Sequence, residues 1–170
     1  MIKIIALIFS LFLYAHTNYA QHYTASLSTG YNRVGVFLQP EFKVGFNAHH
    51  LNFGLKVYGY NLFFAKNVVG PQLGYEIHIK SKNEKFEFYP GFSVAIFNEK
   101  RIANSLILTE LNLSNSLLYF LKPNVGLHSS IGIGYILTHA NTFNTNETTN
   151  SAYPSYQISL GILYRFGAAE

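Results

Sequence analysis

The chain has 170 residues, a length that suits one domain, and only 12% of them are charged, against about 25% in ordinary soluble domains. Aromatic residues make up 16% of the chain, and the formal net charge is +4. Such a mild charge lacks the clustered basic footprint of a nucleic-acid-binding protein, so we expect no nucleic-acid partner. The absence of cysteine excludes disulfides, thiolate metal sites, cysteine nucleophiles and the lipidated cysteine of a bacterial lipoprotein.

The first residues of the chain are typical of a secretory signal peptide. Lys3 supplies a basic start, and residues 4–13 form a nearly unbroken apolar run. That run is well below the roughly 20 residues that a membrane-spanning helix needs. Small Ala20 offers a cleavage point. We therefore predict a signal peptide at residues 1–20, export from the cytoplasm, and a single mature domain at residues 21–170.

Residues 155–166 form the clearest predicted strand. Apolar side chains alternate there with small or polar ones, Leu163 being the exception, and the apolar set is Tyr156, Ile158, Leu160, Ile162, Tyr164 and Phe166. A period of two indicates a strand with two different faces. Aliphatic residues between aromatic ends are typical of a strand that crosses lipid. We interpret it as the closing strand of a small barrel, paired with residues 24–31.

The same alternation recurs along the mature chain and, with residues 155–166, predicts about eight strands. The other strands are predicted at residues 24–31, 38–47, 50–57, 69–80, 86–96, 106–117 and 124–137. Turns are predicted near 48–49, 81–84 and 118–123, and loops near 32–37, 63–67, 98–104 and 139–154. Pro90 would remove a ladder donor inside its strand, so we expect a bulge there or a strand boundary displaced by a few residues. The predicted fold is an all-β, antiparallel, up-and-down transmembrane β-barrel of about eight strands.

The composition of the two faces predicts which one points outward. The apolar face is nearly free of charge, and Arg or Lys there would cost about 2–4 kcal/mol at the bilayer midplane. The polar face consists mainly of glycine and uncharged polar residues, with isolated charges between them, which suits the narrow lumen of an eight-stranded barrel. We expect a polar network in the lumen with these members: Glu41, Lys43, Lys56, Glu76, His78, Glu87, Glu110 and Arg165. The reverse arrangement, a secreted lipocalin-like barrel with an apolar ligand cavity, is an alternative.

Two cross-strand pairs are expected within the lumen. A two-residue turn at residues 48–49 would place Glu41 directly opposite Lys56. A turn between His78 and Glu87 would place that second pair opposite each other. Unlike charges in these positions are favourable, and pairing avoids an uncompensated buried charge.

The chain has a predicted signal peptide, alternating strands and a last strand that ends Leu-Tyr-Arg-Phe. In these features it resembles the small outer-membrane β-barrel proteins of Gram-negative bacteria. These include the OmpX/OmpA type and the broad "outer membrane protein beta-barrel domain" families. The resemblance implies an outer-membrane location and insertion by the barrel assembly machinery, which reads an aromatic last strand. Tyr164 and Phe166 match that signal, although residues 167–170 follow it. We expect a monomer without a cofactor, with a mostly plugged lumen and a structural, adhesive or envelope-maintenance role.

A catalytic site is the weaker interpretation of the polar residues. His128, Ser130 and Glu110 could form a hydrolase triad, or all three could be lumen-filling residues in a hydrogen-bonded network. The spacing of His128 and Ser130 also resembles the His-x-Ser pair of the lipid A deacylases, which are small barrels. His139 lies nearer the expected end of a strand, but Asn141 stands where Ser would be needed. We expect no catalytic residue.

Two further groups of residues bear on partners. His49 and His50 are adjacent, so their side chains point to opposite faces of a strand, and we expect no metal site there. Lys66, Lys100 and Arg101 fall in the predicted outward loops. They could contact phosphates of lipopolysaccharide, or they could form a solvated rim. Outer-membrane lipid and lipopolysaccharide are the expected partners.

Overall fold

A computed structural model describes residues 20–64, 66–82, 85–100, 104–142 and 147–166. Almost all of these residues lie in β-strands. None of the described segments contains a helix that is long and apolar enough to cross a membrane. The predicted signal peptide, apart from Ala20, lies outside the described residues, as do Arg101 and residues 167–170.

The strand segments follow one another along the chain with short connections. Their bounds are β1 Ala20–Asn32, β2 Gly35–Phe46, β3 His49–Asn61, β4 Val68–Ile77, β5 Ile79–Lys80, β6 Phe86–Lys100, β7 Asn104–Lys122, β8 Val125–Thr142 and β9 Glu147–Phe166. Segments β4 and β5 both pair with β6 and are two pieces of one strand, interrupted at His78. Eight strands therefore form the wall.

Every neighbouring pair of strands is antiparallel, and the sheet closes on itself. The closing pair is β1 with β9, in a register that runs from Tyr23 opposite Phe166 to Asn32 opposite Gln157. The predicted pairing of residues 24–31 with the last strand is therefore confirmed. The all-β, up-and-down barrel predicted from the alternation is the observed fold.

The β2–β3 turn lies one residue earlier than predicted. It consists of Asn47 and Ala48, and Asn47 has a positive φ of 55°, a conformation that asparagine tolerates better than most residues. Moving a turn by one residue moves the register by two. Glu41 consequently lies opposite Gly54, and the predicted pairing with Lys56 is wrong.

The second predicted pairing is also wrong in register. Glu87 lies opposite Lys80 rather than His78. The side chains of His78 and Glu87 nevertheless approach to 3.9 Å, between Nε2 and Oε2, because both belong to the inward face.

Pro90 affects the strand beside it rather than its own strand. It pairs with Asn115 in an unbroken β6–β7 register, so the predicted bulge is wrong. On the other side of β6, the ladder stops after Glu76 and resumes at Ile79. The gap between β4 and β5 therefore faces the residue that has no N–H donor.

Four predicted connections are largely strand in the structure: in the loop predicted near 32–37 only residues 33–34 are not strand, and in the loop predicted near 98–104 all of the described residues are strand. The predicted turn at residues 118–123 is occupied by β7, which continues to Lys122, so the actual turn is Pro123 and Asn124. Most of the predicted loop at 139–154 belongs to the β8–β9 hairpin. Its Asn and Thr content suggested a loop, but Thr is β-branched and suits a paired strand.

The barrel is taller on one side than on the other. β1, β2 and β3 have 13, 12 and 13 residues, whereas β7, β8 and β9 have 19, 18 and 20. We call the end that carries the turns Asn47–Ala48 and Pro123–Asn124 the turn end, and the opposite one the loop end. The long strands extend past their neighbours at the loop end, since residues 147–156 of β9 lie beyond the last pair with β1.

Candidate functional site

The inward face of the barrel carries the polar side chains. Many are almost completely shielded from solvent, among them Thr24, Ser28, Gln39, Glu41, Lys43, His50, Asn52, Lys56, Gln72, Glu76, Glu110, Asn112, Ser116, His128, Ser130, Gln157 and Ser159. These residues occupy alternate positions on successive strands, as the sequence pattern predicts. The lumen is the candidate site, and eight of its charged or titratable residues fall into three groups along the barrel axis; Glu99 on β6, also buried, lies nearer the loop end.

The group nearest the loop end is centred on an ion pair. Lys56 Nζ lies 2.6 Å from Glu110 Oε2 and donates to Gln157 Oε1 at 2.8 Å. The Tyr58 hydroxyl donates to Glu110 Oε1, and Asn32 Nδ2 donates to the Tyr58 oxygen at 2.6 Å. The ion pair has essentially no solvent contact. This group connects β1, β3, β7 and β9 across the lumen.

The middle group contains one lysine and two carboxylates. Lys43 Nζ lies 2.6 Å from Glu76 Oε2 and 3.3 Å from Glu41 Oε1. Gln39 Nε2 donates to the second oxygen of Glu41 at 2.7 Å, and the Ser116 hydroxyl donates to Glu76 at 3.3 Å. Each buried charge in this group therefore has both an opposite charge and a hydrogen bond.

The group at the turn end is built on a two-point contact between an arginine and a carboxylate. Arg165 Nη1 and Nη2 donate to the two oxygens of Glu87 at 3.1 and 2.5 Å. The Tyr89 hydroxyl donates to Glu87 at 2.6 Å, and its ring stacks on His78 at 4.9 Å between centroids. The Arg165 guanidinium lies 4.3 Å from the centre of the Phe120 ring. The last strand is thereby linked to β6.

Apolar side chains fill the lumen beyond these groups. The cluster at the loop end consists of Val34, Phe37, Tyr58, Phe64, Val68, Ala95, Phe97, Leu108 and Ile136. The smaller cluster at the turn end consists of Tyr89, Leu118, Phe120 and Leu163. Leu163, the exception in the alternation of the last strand, is thus an inward residue that packs in the turn-end cluster.

A small polar cavity lies between the charged groups, with Glu41, Glu76 and His128 in its wall. Its volume is about 20 Å³. A cavity needs about 10–15 Å³ to hold one water molecule, so this one has room for little more.

The structure brings all eight residues of the predicted lumen network to the inward face, in the three groups described above. The sequence pattern did not identify Asn32 and Tyr58 as members, although they hydrogen-bond within the group nearest the loop end. Gln157, which the alternation of the last strand places in the lumen, joins the same group. Tyr58 could have been found, because it follows Lys56 by two positions and so shares its face. The cross-lumen pairing of Lys56 with Glu110 gives no local sequence signal.

The residues of the possible triad do not assemble. The Glu110 carboxylate is engaged by Lys56 and Tyr58, and the Ser130 hydroxyl lies 2.7 Å from that of Ser159. Neither ring nitrogen of His128 has a hydrogen-bond partner. A serine nucleophile needs a base within hydrogen-bond reach, and this arrangement offers none to Ser130.

The histidines at the start of β3 point to different sides, as their adjacency predicts. His49 is exposed and contacts the Tyr75 hydroxyl at 2.5 Å, whereas His50 is buried with its ring 4.9 Å from that of Tyr89. Within the described ranges, no group of three or more His, Asp or Glu side chains could hold a metal ion.

The outward face is apolar around the whole wall. On β9 its exposed members are Tyr156, Ile158, Leu160, Ile162, Tyr164 and Phe166. In the described strands, Lys100 at the loop end is the one Asp, Glu, Lys or Arg with outward parity. The lipocalin-like alternative required the charged face outside and an apolar cavity inside. The burial pattern is the opposite, so that alternative is wrong.

No protein-family description matches the chain, and no curated protein matches it. Solved structures match it in fold. The N-terminal β-barrel domain of Pseudomonas aeruginosa OprF has a TM-score of 0.54 at 10% identity, covering 88% of this chain and 100% of that one. A major outer membrane protein of Thermus thermophilus has a TM-score of 0.53 at 14% identity, covering 85% and 99%. Neisserial surface protein A has a TM-score of 0.52 at 15% identity, covering 85% and 96%. The chain thus has the fold of the small outer-membrane β-barrels.

Proposed function

We propose that this protein is an integral outer-membrane barrel without catalytic activity, which contributes to the structure or the adhesive surface of the cell envelope. The observation that carries the proposal is the outward face, which is apolar on every strand and free of charge below its loop-end rim. Only a lipid environment makes such a closed apolar belt favourable, because in water it would be a large aggregation surface.

The orientation follows from the lengths of the connections and the predicted export of the chain. Outer-membrane barrels have short periplasmic turns and longer extracellular loops. The turns Asn47–Ala48 and Pro123–Asn124 are short; at the opposite end the β1–β2 connection is equally short, but the long strands project from that end. We therefore place the turn end in the periplasm and the loop end outside. The aromatic residues Tyr164 and Phe166 then lie where the barrel assembly machinery would read them.

Cell fractionation and gel mobility test this assignment. We expect the protein to require detergent for extraction and to sediment with the outer membrane. Because a closed barrel resists unfolding by dodecyl sulfate until it is heated, its gel mobility should differ between boiled and unboiled samples. Recovery in the soluble periplasmic fraction or in the medium would contradict the proposal.

We further propose that the lumen is closed to ions. Its two ends are filled by apolar clusters, the charges of its three groups are paired, and the polar cavity between them holds about 20 Å³. An ion crossing this lumen would have to separate the Lys56–Glu110 and Lys43–Glu76 pairs. Closure of the lumen supports a structural role rather than that of a porin.

Planar-bilayer recording tests the closed lumen. We expect no discrete conductance steps above the lipid background after the purified barrel is inserted, because no continuous aqueous path connects the two ends. A mock preparation from cells that lack the gene is the control for contaminating porins. Reproducible steps from the barrel preparation, absent from the mock preparation, would show that the lumen conducts.

One feature of the last strand supports the proposed adhesive role. Residues 147–156 of β9 pair with β8 on one side and extend past the end of β1 on the other. Such an edge presents backbone donors and acceptors that an extended polypeptide can pair with. Its side chains from Glu147 to Asn150 are exposed and polar. In the proposed orientation this edge faces the outside of the cell.

A further inference from the structure

A shallow groove of about 630 Å³ crosses the outward face of β6, β7, β8 and β9. Its walls are almost entirely apolar, and the side chains that line it include Phe92, Leu111, Leu113, Ile133, Tyr135 and Pro154. A smooth convex barrel wall offers lipid chains no preferred position. This groove is a concave exception within the apolar belt.

The strand register gives the groove its shape. Phe92, Leu113 and Ile133 are paired side by side in one row, and Leu111 and Tyr135 belong to the next row towards the loop end. The groove runs between these two rows. Four adjacent strands span three interstrand spacings, so its length is about 14 Å. It is long and narrow, the shape of part of an extended acyl chain.

The groove lies near the loop-end limit of the apolar belt. Tyr135 in its wall and neighbouring Tyr156 on β9 are exposed tyrosines, and such rings mark the interface between acyl chains and headgroups. Tyr31 meets Tyr156 at 6.2 Å between ring centroids, which continues the aromatic girdle onto β1. A molecule in the groove would therefore have its headgroup at the loop-end rim.

A cation lies at that rim, across the edge of β9 from the groove. Arg33, in the β1–β2 connection, donates from Nη1 to the carbonyl oxygen of Pro154 at 3.2 Å. Its guanidinium carbon also lies 5.0 Å from the centre of the Tyr153 ring. These two contacts hold an exposed positive charge beside a residue that lines the groove. A guanidinium is well suited to bind phosphate.

We propose that this groove and Arg33 together form a binding site for lipid A, the phosphorylated, acylated anchor of lipopolysaccharide. One acyl chain occupies the groove, and a phosphate contacts the Arg33 guanidinium. The proposal rests on the outer-membrane assignment above, because lipid A is found in the leaflet that the loop end would face. The acyl chain explains the apolar lining, and the phosphate explains the fixed cation.

Lipid retention by the purified full-length barrel tests the site. The barrel is incubated with purified lipid A in detergent, washed, and analysed by native mass spectrometry. Leu113→Trp should fill the groove and lower the bound fraction about tenfold or more, since each excluded methylene removes about 0.8 kcal/mol. Arg33→Gln should lower it about fivefold, as expected from about 1 kcal/mol per basic residue at a charged lipid surface.

Matched variants separate the site from general effects. Leu160→Trp places the same bulk elsewhere on the apolar belt, and Lys66→Gln removes another exposed loop-end charge; both should retain lipid A as the unmodified barrel does. Retention of phosphatidylglycerol equal to that of lipid A, or unchanged lipid A retention in Leu113→Trp and Arg33→Gln, would overturn the proposal. Heat-dependent gel mobility of each variant shows that it is folded, and detergent-independent solubility would refute the membrane assignment instead.

Discussion

Replacing Lys56 with methionine is expected to lower the free energy of unfolding by about 3–5 kcal/mol, the range found when one partner of a buried ion pair is removed. The Lys56–Glu110 pair has a separation of 2.6 Å and essentially no solvent contact. Without the ammonium group, the Glu110 carboxylate keeps its bond from Tyr58 but loses its compensating charge. Urea titration of the barrel in lipid vesicles, followed by gel mobility, measures the loss.

The double variant Lys56→Met with Glu110→Gln identifies the cause of that loss. It removes both charges but keeps an oxygen that can accept from Tyr58, so more than half of the stability should return. Lys66→Met is the matched control, because Lys66 is an exposed loop-end lysine, and it should change the free energy of unfolding by less than about 0.5 kcal/mol. A double variant as unstable as Lys56→Met would show that loss of the hydrogen bond from Lys56 to Gln157, rather than the unpaired carboxylate, dominates.

The position of this pair explains why its removal should affect the whole barrel. Lys56 is on β3 and Glu110 is on β7, two strands that are not neighbours in the sheet. Asn32 on β1 and Gln157 on β9 contact the same group, and these two strands meet at the closure. Side chains in the lumen therefore connect opposite parts of the wall, whereas backbone ladders connect only adjacent strands. The closing β1–β9 pair and the hydrogen-bonded group in the lumen therefore stabilise each other.

The sequence was sufficient to predict which face of each strand points inward, because successive side chains of a strand point to opposite faces. The same alternation of polar and apolar residues repeats from strand to strand along the chain. That rule assigned Glu110 and Lys56 to the lumen without any structural information. It could not pair them, because strand order around the ring and the tilt of the wall decide which inward residues meet. The predicted partner of Lys56 was Glu41, and a turn displaced by one residue was enough to make that pairing wrong.

The connections were the least predictable part of the fold. Asn- and Thr-rich residues near 139–154 suggested a loop, yet residues 139–142 continue β8 and residues 147–154 belong to β9, in register with each other. Their backbone pairing needs no apolar face, because beyond the lipid both faces of the hairpin meet water. β7 continues as a strand up to the turn at Pro123 and Asn124, because its side chains Leu118 and Phe120 are buried in the lumen at the turn end. Composition alone does not show where the apolar belt stops.

The apolar belt itself provides a second prediction of large effect. Leu160 lies midway between the girdle tyrosines Tyr156 and Tyr164 on the outward face of β9, and it is 63% exposed. We expect Leu160→Arg to lower the free energy of unfolding in lipid vesicles by about 2–4 kcal/mol, because a guanidinium at the bilayer midplane loses its hydration. Urea titration followed by gel mobility measures this loss.

Arginine substitutions at other positions of β9 vary the distance from the bilayer midplane. Comparing their effects on stability separates the cost of membrane burial from a general intolerance of arginine on this strand. Tyr156→Arg, at the interface, should cost about 0–1 kcal/mol, and Thr148→Arg, in the part of β9 that extends past β1, should cost about 0.5 kcal/mol or less. All three positions have the same parity and face outward, so strand geometry is constant across the series. Only distance from the bilayer midplane changes. Equal losses at the three positions would contradict a lipid-facing belt, whereas a loss that peaks at Leu160 requires one.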